Sequence, residues 1–171
     1  MAIYSEQGEL LFGTYLKRIA TRFQQDVVRI YASQGIRFDL SWFPIFFLLK
    51  DGEQYAVTEL AKAVDISHPA LNQILKALEK EGLVVIEKDP DDLRRRLVSL
   101  NDKGLYLNRK IQPIWQGIRA HMAKMIADIP DGDKLFGILN ALEEKMLADN
   151  SLFENVTKGL SQTTSTQNEN V

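Results

Sequence analysis

Apolar residues recur at intervals of three and four along the first long segment of the chain, residues 6–32. These positions share one face of a helix, and they are Phe12, Leu16, Ile19, Phe23, Val27 and Ile30. Gly35 follows and predicts the helix end. From Trp42 to Leu49 nearly every residue is apolar. We therefore expect a short helix there, capped by Ser41 and buried on every side.

Two shorter helices and a hairpin are predicted in the middle of the chain. The helical pattern of Thr58–Val64 is followed by a three-residue joint, Asp65–Ser67, and by a second helical pattern, His68–Glu81. After Gly82 come two runs rich in β-branched residues, 83–88 and 96–100, separated by the polar loop 89–95. This arrangement predicts two antiparallel strands.

A second long apolar stripe follows Asn101, which is a suitable helix cap. Its members are Leu107, Ile111, Ile114, Ile118, Met122, Met125 and Ile129. Another helix is predicted from Asp133 to Leu147, and Ser151 with Glu154 forms a capping-box pattern for a short last one. Residues 161–171 are polar and low in complexity, which predicts a disordered tail. The fold class is therefore mainly α with one β-hairpin.

The helix, joint and helix of residues 58–81 match the plan of a helix-turn-helix, whose second helix enters the major groove of DNA. Burial of its apolar face leaves a polar set near its N-terminal half: Ser67, His68, Asn72, Gln73 and Lys76. Asn and Gln can each form a bidentate hydrogen-bond pair with adenine. Taken alone, these residues are equally typical of an ordinary amphipathic helix with a solvated polar face.

The loop between the two strands favours DNA. It carries Arg94, Arg95 and Arg96 close to Asp89, Asp91 and Asp92. A winged helix lays such a hairpin along the duplex, with an arginine in the narrow minor groove, where the potential is most negative. The alternative is a solvated loop whose arginines only neutralise its aspartates. One Asp–Arg pair can instead stiffen the loop while another arginine stays free.

Residues 58–104 resemble the MarR (multiple antibiotic resistance regulator) family of transcription regulators. The resemblance rests on LEKEGLV at the end of the second helix and on the DPxDxR loop followed by LVSL. It implies a winged helix-turn-helix over 53–101 within a single domain, 1–160. By resemblance, Asp92 and Arg94 match the family's wing aspartate and minor-groove arginine. Leu93 and Gln73 depart from the family, which often has arginine at both positions.

The two long stripes also predict a homodimer, because their apolar faces are longer than the small reading unit can cover. The helices of 6–32 and 102–160 would form its interface, and two recognition helices would then match a pseudo-palindromic site. The alternative is a monomeric helical bundle. The resemblance further implies a pocket for a small aromatic anion. Its candidate lining is Tyr15, Arg18, Trp42 and Phe46, as aromatic walls and one cation. The alternative is that these aromatic side chains belong to the core and that Arg18 is a surface residue.

Composition changes this interpretation in a few respects. A net charge of −2 and a pI of about 5.7 are not those of a non-specific nucleic-acid binder. With no cysteine and two distant histidines, we expect neither thiol redox sensing nor a metal site. We also expect no cofactor, no enzymatic activity and no membrane partner, and a cytoplasmic protein. The alternative function is a winged-helix protein-interaction module without specific DNA binding.

Overall fold

The computed structural model describes residues 8–148 and 154–157. The predicted tail of 161–171 and Ser151 of the predicted capping box lie outside the described residues. By compactness the chain divides into two units, Met1–Ile118 and Arg119–Val171. The predicted DNA-reading elements all belong to the first unit.

Six helices and three strands are complete within the described residues, and residues 154–157 are helical as well. In chain order these are α1 (Phe12–Ser33), α2 (Phe43–Leu48), β1 (Tyr55–Ala56), α3 (Val57–Val64), α4 (His68–Lys80), β2 (Val84–Lys88), β3 (Arg96–Leu100), α5 (Asp102–Ala127) and α6 (Leu135–Ala148). Short 3₁₀ turns lie at Leu40–Trp42, Lys50–Gly52 and Gly132–Lys134. The predicted fold class is confirmed, although α1 begins later than residue 6 and residues 8–11 form a turn.

The predicted hairpin is part of a three-stranded antiparallel sheet in the order β1-β3-β2. Strands β2 and β3 pair from Val84 opposite Leu100 to Lys88 opposite Arg96. The short strand β1 adds Tyr55 opposite Val98 on the other edge. The hairpin is thereby joined to the segment that leads into α3, so its base is fixed to the body of the unit.

The helix-turn-helix forms as the residues predict. Asp65 ends α3 in the left-handed conformation, with φ of 54°. The hydroxyl of Ser67 then accepts a hydrogen bond from the amide of Ala70, at 3.4 Å, and starts α4. Gly82 has φ of 64°, a conformation that suits glycine and ends the helix.

One hydrophobic core holds these elements together in the first unit. Helix α4 contributes three side chains at helical spacing, Leu71, Leu75 and Leu78, all fully or nearly fully buried. The other buried members come from α1, α2, α3, the sheet and α5, and they include Tyr31, Ile45, Phe46, Leu49, Leu60, Val98 and Ile111. The buried face of α4 fixes which of its polar residues point outward.

Two expectations about α2 were wrong. Asp39 rather than Ser41 caps the preceding turn, since its carboxylate accepts from the Ser41 amide at 2.8 Å and from the Ser41 hydroxyl at 2.7 Å. The helix is not buried on every side either, because Phe43 and Phe47 are 41% and 46% exposed. Uniform apolarity in sequence does not reveal which face of a short helix meets the core.

The second unit contains the end of α5 and the helix α6. A predicted helix from Asp133 starts two residues later, at Leu135, after the 3₁₀ turn. Its large apolar side chains are exposed: Leu135, Phe136, Ile138, Leu139, Leu142, Met146 and Leu147. Within the described residues, no helix is both long enough and apolar enough to cross a membrane.

Candidate nucleic-acid interface

The predicted reading residues lie on the outer side of α4 and at its start. Ser67, His68, Gln73 and Lys76 are exposed, and Asn72 is half-buried. The side chains that alternate with them are the buried leucines of the core. The outer face of the N-terminal half of α4 therefore carries amide, imidazole and ammonium groups.

The loop between β2 and β3, called the wing here, is a tight turn closed by its own backbone. The amide of Arg95 donates to the Asp92 carbonyl at 2.8 Å, and the Asp89 amide donates to the Arg95 carbonyl at 3.1 Å. The Asp92 carboxylate accepts from the Arg94 amide at 3.0 Å. Asp92 therefore shapes the turn through a backbone amide, which is a different task from pairing with a guanidinium.

Arg95 connects the wing to α3. Its Nη2 lies 2.8 Å from Glu59 Oε1, and its Nε lies 3.6 Å from Asp89 Oδ2. Asp89 is almost completely buried and also accepts from the Asp91 amide at 2.9 Å. Glu59 in turn accepts from the Ala56 amide at 3.4 Å through its other oxygen. This chain of contacts fixes the wing relative to the helix-turn-helix.

Glu59 is a residue that the sequence reasoning missed. Its partner Arg95 is separated from it by 36 positions, so no local pattern joins the two. The available signal was an acidic side chain in the first turn of a helix, which is typical of a capping residue.

The other two arginines of the wing have different surroundings. Arg96 Nη2 donates to Asn72 Oδ1 at 3.1 Å and so joins β3 to α4. The Arg94 side chain is exposed and forms no hydrogen bond or ion pair with any described residue. Arg95 is therefore held by carboxylates and Arg96 by an amide, whereas Arg94 is available to bind an outside partner.

The four residues predicted to line a ligand pocket fall into two pairs. Tyr15 and Arg18 lie on α1, with the guanidinium carbon 5.1 Å from the ring centroid. Trp42 and Phe46 both contact the ring of Phe38, at centroid distances of 5.6 and 5.1 Å. Phe46 is fully buried in the core. Its ring thus packs in the interior and has no surface to offer a ligand in this conformation.

A half-exposed aromatic group lies beside this core. Phe43 contacts the rings of Phe47 and Trp115 at centroid distances of 5.8 and 5.0 Å, and Phe47 lies 6.2 Å from Trp115. The ammonium of Lys50 lies 4.7 Å from the Phe47 centroid. We call these four residues the aromatic rim. The sequence showed that these residues are aromatic, but it did not show that Phe43 and Phe47 lie on the exposed face of α2.

The aromatic rim is anchored to α1 by Tyr31. Trp115 Nε1 donates to the Tyr31 hydroxyl at 2.7 Å. Burial raises the pKa of Tyr31 above its ordinary value, while the hydrogen bond from Trp115 acts in the opposite direction. The neutral phenol is therefore the form that this site favours.

Among the described residues no group of three or more His, Asp or Glu side chains is placed to hold a metal ion.

Residues 38–95 match the sequence model of the MarR family. No curated protein matches the chain. Among solved structures, the transcriptional repressor CouR bound to a 23-mer DNA duplex is 26% identical with a TM-score of 0.67, over 82% of this chain and 96% of that one. NadR in complex with 4-hydroxyphenylacetate is 25% identical with a TM-score of 0.54, over 82% and 94%. The S. aureus MepR–DNA complex, 17% identical with a TM-score of 0.62 over 80% and 96%, shares the fold.

Proposed function

We propose that the chain is a DNA-binding winged helix-turn-helix transcription regulator of the MarR family, whose sequence model matches residues 38–95, and that it acts as a dimeric, ligand-released repressor. In this proposal residues 53–101 bind duplex DNA within a single domain, 1–160. The helices of 6–32 and 102–160 bind a second copy. The observation that carries the proposal is the unpaired Arg94 on a wing that Arg95 and Arg96 fix to both helices of the helix-turn-helix.

The groove contacts follow from that arrangement. Helix α4 enters the major groove with Ser67, His68, Asn72, Gln73 and Lys76, all exposed or half-buried. Arg94 extends from the wing into the adjacent minor groove, where a guanidinium gains most from the negative potential. Glu59 and Asp89 neutralise Arg95 and hold it in place, so that Arg94 is presented without loss of its own charge.

Exposed apolar surface supports the homodimer. On α1 the outward residues of the stripe include Leu16, Ile19 and Phe23, with Ile19 52% exposed. On α6 the large apolar side chains are exposed all along the helix, and Phe136 reaches 63%. Apolar stripes of this length are normally covered in a soluble regulator. A second copy covers them and, by two-fold symmetry, sets two α4 helices about 34 Å apart.

Ligand control is supported by the solved relatives and by the aromatic rim. CouR is a repressor, and NadR binds 4-hydroxyphenylacetate, which is an aromatic carboxylate. The rim offers two half-exposed phenyl rings and an ammonium, the chemistry that such an anion needs. We place the ligand against Phe43, Phe47 and Lys50, with Tyr15, Arg18 and Trp42 as further candidates. The chain has no cysteine, so thiol oxidation cannot be the signal.

The DNA-binding proposal is tested by comparing two arginine variants on a duplex selected by the parent protein. Arg94→Ala should weaken binding by about 1–3 kcal/mol, the scale of a specific groove contact. Arg37→Ala, at an exposed arginine between α1 and α2, removes the same charge outside both the winged unit and the proposed dimer helices and should leave affinity nearly unchanged. Equal affinity of parent and Arg94→Ala, measured by fluorescence anisotropy at fixed salt, would show that the wing does not enter a groove.

The ligand proposal is tested by titrating 4-hydroxyphenylacetate and salicylate into the protein–DNA complex. Release of DNA should require the ligand to bind the free conformation more tightly than the DNA-bound one. Lys50→Met should weaken binding of the carboxylates to free protein and should not affect DNA binding in their absence. Absence of binding by every aromatic acid tried would refute the ligand assignment and leave the DNA-binding proposal intact.

A further inference from the structure

The contact between Arg96 and Asn72 crosses from the wing to α4. Arg96 is the first residue of β3, and its Nη2 donates to Asn72 Oδ1 at 3.1 Å across 24 positions of sequence. Asn72 is half-buried at the middle of the predicted reading surface, one residue before Gln73. The guanidinium of Arg96 is exposed. A wing residue thereby contributes to the surface that α4 presents.

The contact fixes which way the Asn72 amide points. A guanidinium has only donors, so the atom of the amide that faces it must be the oxygen. Nδ2, with its two N–H groups, is then the end of the amide left for another partner. Reading adenine requires the carbonyl oxygen and the amide nitrogen of asparagine to reach the base together. Arg96 occupies one of the two lone pairs of the Asn72 oxygen and fixes the direction of the amide, so Asn72 is less well placed for that pair.

We propose that Arg96 and Asn72 act as one specificity-determining unit that presents mainly hydrogen-bond donors and reads guanine rather than adenine. The unit combines the Asn72 Nδ2–H groups with the guanidinium N–H groups that Asn72 does not use. Guanine offers two acceptors, N7 and O6, on its major-groove edge, whereas adenine offers one acceptor and one donor. The charge of Arg96 strengthens bonds to these acceptors.

This assignment divides the three arginines by task. Arg95 is neutralised by Glu59 and Asp89 and holds the wing, and Arg94 is the candidate for the minor groove. Arg96 is directed toward α4 instead of the wing tip. It therefore acts on the major-groove side, which the sequence pattern of three adjacent arginines did not distinguish.

The inference rests on the proposed DNA binding, and one selection experiment separates the two. Bound sequences are selected from random duplex DNA by the parent and by four variants: Arg96→Ala, Asn72→Ala, the double variant, and Lys88→Ala. Lys88 pairs with Arg96 across the hairpin, so its variant controls for the loss of one positive charge at the same level of the sheet. Circular dichroism confirms that each variant is folded.

The parent should prefer guanine at one position of each half-site by about tenfold or more over adenine. Arg96→Ala should lose that preference and shift it toward adenine, because the released amide can then pair with both adenine atoms. Asn72→Ala should lose the guanine preference at the same position of the half-site. The double variant should lose no more of this preference than the more strongly affected single variant does. Lys88→Ala should lower affinity without changing any base preference.

Two results would overturn the inference while DNA binding stands. The first is a guanine preference that persists in Arg96→Ala. The second is that the two single variants change the base preference at different positions of the DNA site, and that their losses of preference multiply in the double variant. Failure of the parent to enrich any sequence would instead refute the proposed function, and the inference with it.

Discussion

Gly104, in the first turn of α5, lies directly against the backbone at the start of the hairpin. A Cβ placed there would lie 2.0 Å from the carbonyl oxygen of Leu83, whereas such contacts essentially never fall below 3.0 Å. The same oxygen accepts a hydrogen bond from the Asn101 amide at 3.2 Å, and Leu83 is buried. The oxygen therefore cannot move away freely, and Gly104→Ala must displace α5 from the start of the hairpin.

The expected cost follows from two opposing effects. Forcing an extra methyl into packed backbone costs about 3 kcal/mol. Alanine regains about 1 kcal/mol of helix propensity, since glycine is the poorer residue inside a helix. Gly104→Ala should thus lower the free energy of unfolding by about 2 kcal/mol. For a protein of this size that is a fall of about 4–8 °C in the melting temperature.

Gly117 supplies a matched control in the same helix. No atom of the described residues of the same protomer lies within 4 Å of a Cβ added there. Gly117→Ala should therefore show the propensity gain alone, a stabilisation of about 1 kcal/mol. Both variants are compared with the parent by urea unfolding, followed by circular dichroism at one protomer concentration. If Gly104→Ala were as stable as Gly117→Ala, the close approach of α5 to Leu83 would be wrong.

Two further predictions concern the wing and the buried phenol. Arg95→Ala should speed hydrogen exchange at the wing amides more than Glu59→Gln does, because it removes the contacts with both Glu59 and Asp89, whereas Glu59→Gln removes the charge of one partner. Unchanged exchange in Arg95→Ala would contradict the anchoring role. Burial raises the pKa of Tyr31 in the folded protein, so the phenol of the unfolded chain ionises at lower pH. The stability that the buried neutral phenol contributes is therefore complete below about pH 10 and declines as the pH rises toward the folded-state pKa. In Tyr31→Phe the free energy of unfolding in urea should fall less at alkaline pH than it does in the parent. Identical pH profiles of the two proteins would show that Tyr31 is not buried as described.

The winged unit was largely predictable because local signals agree there. A helical period, a Ser67 cap and a Gly82 stop each define α4 independently, and β-branched runs around a polar loop define the hairpin. Strand β1 was not predicted, because two residues, Tyr55 and Ala56, are too few for an alternating pattern to be visible.

Sequence supplied candidate residues for the site but not the contacts between them. Sequence identified three wing arginines, but it could not assign Arg95 to Glu59 or Arg96 to Asn72, since those contacts span 36 and 24 positions. The same limitation applied to α2. There, apolar residues on all sides of a short helix did not indicate that Phe46 faces the core and Phe47 the solvent.

The central claim is that the chain reads a two-fold symmetric DNA site as a dimer. The most direct test is selection from random duplex DNA with the unmodified chain, followed by light scattering of the complex with the selected duplex. We expect one motif with half-sites about 10 base pairs apart, centre to centre, and two chains of 19.5 kDa on each duplex. No enriched motif, or a single chain bound to each duplex, would contradict it.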